Sequence, residues 1–422
     1  HMATTGTDNA VYGSSATSPF RTLQWTLNHA LEGDSVIVQP GDYPGSAGNW
    51  GKSIHVRGNT SSPNNVSILG EVKFTGGSNS VNMLRVSNSS GDGFNISAGA
   101  VTIADVLVDN SSGKAIVISD TADASLANIT LYYNEYGLFD NSSGSITMVN
   151  SIVWGSTNGS DTANVAGNPT ITYSDIGGGY TGTGNINSDP LFASAENGDF
   201  ILDLLSPCID TGDPSVAYDG DDTVVDMGAF PRLRQFLSGT SSGDINVYAD
   251  TTIIISSDFT VSEDDSMQLD AGAQLYFGSG ATLTVEGTLT ADGTAESVIS
   301  FLPVNPDSSY SGVVIAGGDG GDGGHRDGDI YSYIQISGVE ADSVPLTIIG
   351  SATLDHVTIA GNGNSVSLST TGTVDLNYSI LEGQTDGTVN ILGSFTSSMD
   401  QFLDYPNDDF TLVATAAGID TD

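Results

Sequence analysis

IADVLVDN at 103–110, LANITLYYN at 126–134 and MVNSIVWG at 148–155 place Asp105, Asn128 and Asn150 in one column, at spacings of 23 and 22 residues. The pattern returns as YSYIQISG at 331–338, LDHVTIAGN at 354–362 and LNYSILEG at 376–383. There the column holds Tyr333, His356 and Tyr378 at the same two spacings. Each member lies 228 residues after its counterpart (105 to 333, 128 to 356, 150 to 378). Apolar residues alternate on either side of the column position, as in Leu126, then Asn128, then Ile129 and Leu131. Alternation over three to five residues, broken by Asn and Gly, reads as short strands. A repeat of about two dozen residues that cannot bury its apolar face alone reads as a solenoid, in which each coil covers the next. The expected fold is therefore all-β, with two stacks of parallel coils. Asn128 above Asn150 is expected to form an amide ladder at an inward turn. Because the two copies of the column keep its spacing and not its chemistry, the column reads as scaffold rather than as a catalytic row.

Charge narrows the function. Nine Lys and Arg against 51 Asp and Glu leave a formal net charge of −42. Nucleic acids and anionic membrane surfaces bind through Lys and Arg contacts to phosphate, so neither is an expected partner. No apolar run approaches the roughly 20 residues that span a bilayer, so no membrane insertion is expected. Apolar residues at 38% still place the chain among folded proteins. Cys208 is the single cysteine, which excludes an intramolecular disulfide and a cysteine-based zinc site. The leading His-Met reads as an expression remnant. The nine Asn-x-Ser/Thr sequons are what chance supplies in a chain this rich in Asn, Ser and Thr.

From the N-terminus, SPFRTLQWTLNHALEGD at 18–34 reads as an amphipathic helix with Leu23, Leu27, Ala30 and Leu31 on its apolar stripe. SVIVQPGDY at 35–43 then reads as a strand ended by a Pro-Gly turn. A helix over the first coil would cover its open strand edges. The run PFRTLQWTLNHALEGDSVIVQPGDY resembles the N-terminus of the pectate-lyase-like right-handed parallel β-helix superfamily, whose members open with a helix, "GD", an apolar strand and "PG.Y". The resemblance implies a right-handed parallel β-helix with an N-terminal capping helix.

The first stack ends in NINSDPLFASAENGDFILDLLSPCIDTGDP at 185–214 and DGDDTVVDMGAF at 219–230. This resembles the terminal segment that follows β-helix repeats in secreted bacterial surface proteins, which implies a secreted or cell-surface location. MDQFLDYPNDDFTLVATAAGIDTD at 399–422 matches it at an offset of 210. Set against the offset of 228, that leaves 18 residues missing from the second copy, and the chain reads as a piece of a longer protein. PRLRQFLSGTSSGD at 231–244 is the expected linker, dividing the chain into 1–234 and 235–422. Residues 252–301, with strands about every eight residues, resemble a segment common in β-helix adhesins.

Three chemistries are open to this scaffold. Polysaccharide lyases need a Lys or Arg base and a cation to neutralise a uronate carboxylate, and the first stack offers Lys52, Arg57, Lys73, Arg85 and Lys114. No paired Lys/Arg lyase motif is present. The polygalacturonase pattern of Asn-Thr-Asp, Asp-Asp, Gly-His-Gly and Arg-Ile-Lys is also absent, so glycoside hydrolysis rests only on abundant Asp. Two acidic loops supply hard oxygen ligands with glycines for sharp turns, a pattern that suits Ca²⁺. The first carries Asp210, Asp213, Asp219, Asp221, Asp222 and Asp226, and the second Asp319, Asp322, Asp327 and Asp329. His325 and Arg326 read as exposed loop residues. Tyr132, Tyr133, Tyr136 and Trp154 on adjacent coils would, if outward, form a strip suited to stacking on a polysaccharide or cell-surface glycan. The expected function is a non-catalytic structural or adhesive protein, glycan-binding and stabilised by structural Ca²⁺. The alternative is a lyase-type enzyme acting on an acidic polysaccharide.

Overall fold

The structure is a computed structural model. It describes all residues except 46, 49–50, 88–89, 159–163, 222, 250–251, 317–328, 361–365, 394, 397–401, 405–408 and 413–422, and the backbone alone at 395–396, 402–404 and 409–412. The chain divides into two compact units, His1–Arg232 and Leu233–Asp422. Each is a parallel β-solenoid, the all-β fold read from the repeats.

In the first unit one inward row runs Val36, Val56, Val81, Ile103, Leu126, Met148 and Ile171, each paired in parallel register with the next. A second runs Tyr43, Ile68, Val86, Val108, Leu131, Val153 and Ile176. A third runs Val72, Phe94, Ile116, Leu138 and Val165. All of these side chains are buried, so each coil presents three short strands whose alternate residues meet in one core. The second unit repeats the plan, with rows such as Ile253, Leu275, Phe301, Ile336, Ile359 and Leu381. The boundary between the units falls inside the stretch 231–244, most of which belongs to the second unit. Arg234–Thr240 pairs in parallel with Thr252–Val261, and Leu237 packs on the second core.

The N-terminal helix is present but short, Leu23–His29 rather than 18–34. Phe20 is bridged to Met2, which keeps the preceding residues extended, and Ala30 has already left helical geometry at ψ 142. Thr22 caps the helix by accepting the Trp25 amide, and the Asp8 carboxylate holds Thr22. Leu23, Leu27 and Ala30 join the core, but Leu31 is 71% exposed. Met2, read as an expression remnant, is wholly buried against this end of the core.

The 22- and 23-residue column proves to be a backbone feature. Met83, Asp105, Asn128, Asn150 and Tyr173 in the first unit, and Tyr333, His356 and Tyr378 in the second, all have positive φ between 47° and 55°. They sit at the bend between two strand segments of a coil, where the ladder skips a residue: Ala104 pairs Ala127 and Val106 pairs Ile129. The left-handed region costs Asn, Asp and His least among residues with a side chain, which explains the composition of much of the column. The expected Asn128–Asn150 ladder is replaced by two other contacts. Asn128 Nδ2 donates to Asp105 Oδ1 at 3.1 Å, and Asn150 Oδ1 accepts the Asp213 amide at 2.7 Å. The inward amide is Asn134, whose side chain bonds Ser111 N, Val108 O and Tyr132 O.

The bends also correct the phase of the duplication. The serine after the bend does not set the phase, because Ser151, Ser174 and Ser379 all donate to the carbonyl two residues back and accept an amide from the preceding coil. The last described bend residue of each unit, however, is a tyrosine, Tyr173 and Tyr378. A glycine at positive φ covers the tyrosine ring in both, Gly184 over Tyr173 and Gly393 over Tyr378. The antiparallel hairpin Phe192–Ser194/Asp199–Leu202 has the same register as Phe402–Asp404/Asp409–Leu412, at an offset of 210. Tyr378 therefore corresponds to Tyr173, at an offset of 205, and His356 to Asn150. The 228-residue alignment is one coil out of phase, which is invisible in a periodic sequence, and the 18 missing residues were a product of it.

Candidate functional site

After the last coil of the first unit, residues 186–232 form a strap that lies on the outward face of one sheet. That face carries the row Ser67, Arg85, Leu107, Thr130, Ile152 and Asp175. Phe200, Ala229 and Phe230 bury Leu107, while Leu202, Cys208, Ile209 and Met227 bury Ile152. Ala229 N donates to Thr130 Oγ1 at 3.0 Å and Gly228 N to the Asn150 carbonyl at 2.8 Å. Gly228 must be glycine, because its φ is +99° and a Cβ would fall 2.8 Å from Ile152 Cδ1. Asn64 Nδ2 donates to the Gly198 carbonyl, tying the hairpin to the earlier coils.

The four aromatic residues are not one strip. Tyr132 is enclosed edge-on by Phe192 and Phe200, at ring distances of 5.5 and 5.4 Å. Trp154 packs against the buried cluster around Ile152. Tyr136 meets Phe139 edge-on, and Lys114 Nζ lies 5.0 Å from the Phe139 ring. Tyr133, 56% exposed, is the one whose ring is largely open.

The basic residues are dispersed. Lys52 Nζ caps the carbonyl end of the N-terminal helix, 2.6 Å from the Ala30 oxygen, and Lys73 pairs with Glu71 at 2.8 Å. Arg85 makes a two-pronged pair with wholly buried Asp109, Nε to Oδ1 at 2.7 Å and Nη2 to Oδ2 at 2.5 Å. Arg57 is exposed.

In the first acidic loop, Asp226 is buried and accepts the amides of Asp210 and Arg232. Asp210 and Asp221 both accept the Thr223 hydroxyl, and Asp213 caps Ser215. Both Asp219 oxygens are buried, and among the described residues neither has a partner at hydrogen-bond geometry, Asp221 being the nearest polar neighbour in the electrostatics. Burial first, then the Asp221 and Asp226 carboxylates, push the Asp219 acid up to about 7. Among the described residues no three His, Cys, Asp or Glu side chains are grouped as metal ligands. In the second loop Asp319, Asp322 and Asp327 lie outside the described residues, as does Asp222 of the first. Asp329 opens the strand Asp329–Ser332. Sequence reading missed Arg85–Asp109 and the buried contact between Asp175 and Cys208. The available signal was a second column, Asp109, Tyr132 and Trp154, four residues after the bend column at the same spacings.

No family model matches the chain, and no curated protein matches it. Among solved structures, the PL6 family alginate lyase AlyGC and an arginine-to-alanine mutant of it align at 11% identity with a TM-score of 0.13. The alignments cover 88% and 89% of this chain, and 98% and 99% of theirs. Superposition at that level carries no argument about activity.

Proposed function

We propose that the protein is a secreted or cell-surface β-helix of the pectate-lyase-like kind that serves as a structural or adhesive scaffold rather than as a catalyst. The observation that carries this reading is the commitment of one outward face of the first unit: the strap covers it, and Arg85, the cation of its strand row, is tied to Asp109. A lyase would need that cation beside an open groove to neutralise a uronate. The charge of −42 favours an extracellular, well-solvated surface and repels polyuronates. Tyr133 is the glycan-contact candidate. Calcium is proposed as a stabiliser at the first acidic loop, where a cation would satisfy the Asp219 carboxylate.

The test is incubation of the chain with pectate, alginate and glycosaminoglycans, in calcium and in EDTA, following the ultraviolet absorbance of unsaturated uronate products and the melting temperature together. Flat absorbance is expected, with a higher melting temperature in calcium. Steady product formation with any polymer contradicts the scaffold reading, and identical melting in EDTA removes calcium from it.

A further inference from the structure

One carboxylate, Asp175, lies buried where the strap meets the sheet. Asp175 ends the outward row Thr130, Ile152, Asp175 and is wholly buried. Its donors are the Cys208 thiol and the Ser188 amide, each at 3.2 Å. The titratable groups facing it are Cys208 and Asp189 of the strap, with Asp226 acting on the same thiol, while its ladder partners Ile152 and Ile186 are uncharged. Arg232, the cation at this end of the strap, gives its guanidinium to the Leu202 carbonyl. A buried carboxylate with two donors and no cation favours its neutral form.

We propose that the strap is a proton-operated latch, closed over the outer sheet face while Asp175 is neutral and loosened when Asp175 ionises. The acid and the thiol are particular to the first unit's sequence. By the corrected phase, Ile380 stands in the place of Asp175, and Gly418 in the place of Cys208. Burial pushes Asp175 up to about 6, with Asp189 adding to it and the Ser188 and Cys208 donors opposing it. The sign follows. Because the closed state holds the proton more tightly than an opened one, closure is strongest below the ordinary value of 3.8 and is lost as pH rises through about 6. A shift of that size weakens the closing equilibrium roughly a hundredfold over the window. Opening would uncover Leu107, Thr130, Ile152 and Trp154.

Hydrogen exchange of the full chain, corrected for the intrinsic pH dependence of exchange, tests this. Strap peptides over 199–212 should lose protection by tenfold or more between about pH 4 and about pH 7, while core peptides over 101–132 hold theirs. Asp175→Asn and Asp175→Leu should flatten the strap profile with the core profile unchanged. Strap protection that tracks the core in the wild type, or a variant profile matching the wild type, overturns the latch. If one variant fails to fold, the other and the wild-type comparison still decide.

Discussion

Arg85→Ala should destabilise the first unit by about 3–5 kcal/mol, the cost of leaving a buried carboxylate without its ion-pair partner. Asp109 is wholly buried, and once the guanidinium is gone its remaining donor is the Asn110 side-chain amide, at 2.7 Å. Surface ion pairs in this chain carry no such expectation; Lys73 with Glu71 is half exposed and worth under about 1 kcal/mol. Removing both charges should restore most of the loss, because an apolar pair of similar volume has no unpaired charge to bury. The check is denaturant unfolding of Arg85→Ala beside Arg85→Met combined with Asp109→Leu. A single variant within about 1 kcal/mol of wild type would mean that Asp109 reaches water and the strap does not seal this face.

Asn134→Ala is expected to cost about 2–4 kcal/mol, whereas Asn128→Ala should cost less than about 1 kcal/mol. The two residues look alike in sequence, six positions apart on the same repeat. Asn134 is buried and joins two coils, accepting Ser111 N at 2.9 Å and donating to Val108 O at 2.9 Å, so its loss orphans buried backbone groups. Asn128 is half exposed at a bend and makes one side-chain bond, to Asp105. Unfolding midpoints of the two variants decide the matter, and equal costs would contradict the assignment of the inward amide.

The contrast shows how far the sequence could be read. Its period is legible because every coil must bend at a fixed point, and a left-handed residue there constrains the backbone whatever the side chain does. That constraint gives Asn150 and His356 equivalent positions with unrelated chemistry. The same periodicity hides phase: spacing alone pairs Tyr378 with Asn150, whereas the glycine over its ring and the following hairpin pair it with Tyr173. Burial direction was the harder problem. Leu107 and Ile152 lie on the outward side of a strand, where alternation predicts exposure, and are buried only because a segment some 50 or more residues further along the chain returns to cover them. Tyr132 and Trp154, read as a possible glycan strip, belong to the same covered face. The acidic loops show the reverse case: composition marked them, but much of the first loop's oxygen is taken up by its own amides and hydroxyls.

Cys208 offers the most direct test of the covered face, because it is the chain's single thiol and lies wholly buried where the strap meets Ile152. Burial, and next to it the Asp175 carboxylate, push its thiol well above the ordinary range, which suppresses the reactive thiolate. The measurement is the rate of thiol labelling in the native full chain at about pH 4 to 5, where Asp175 is neutral and the strap closed, against the same chain in denaturant at the same pH. Labelling slower than in denaturant by at least about a hundredfold is predicted. Native labelling at the rate of an exposed thiol would mean that the sheet face is open, and the scaffold reading would lose the observation that carries it.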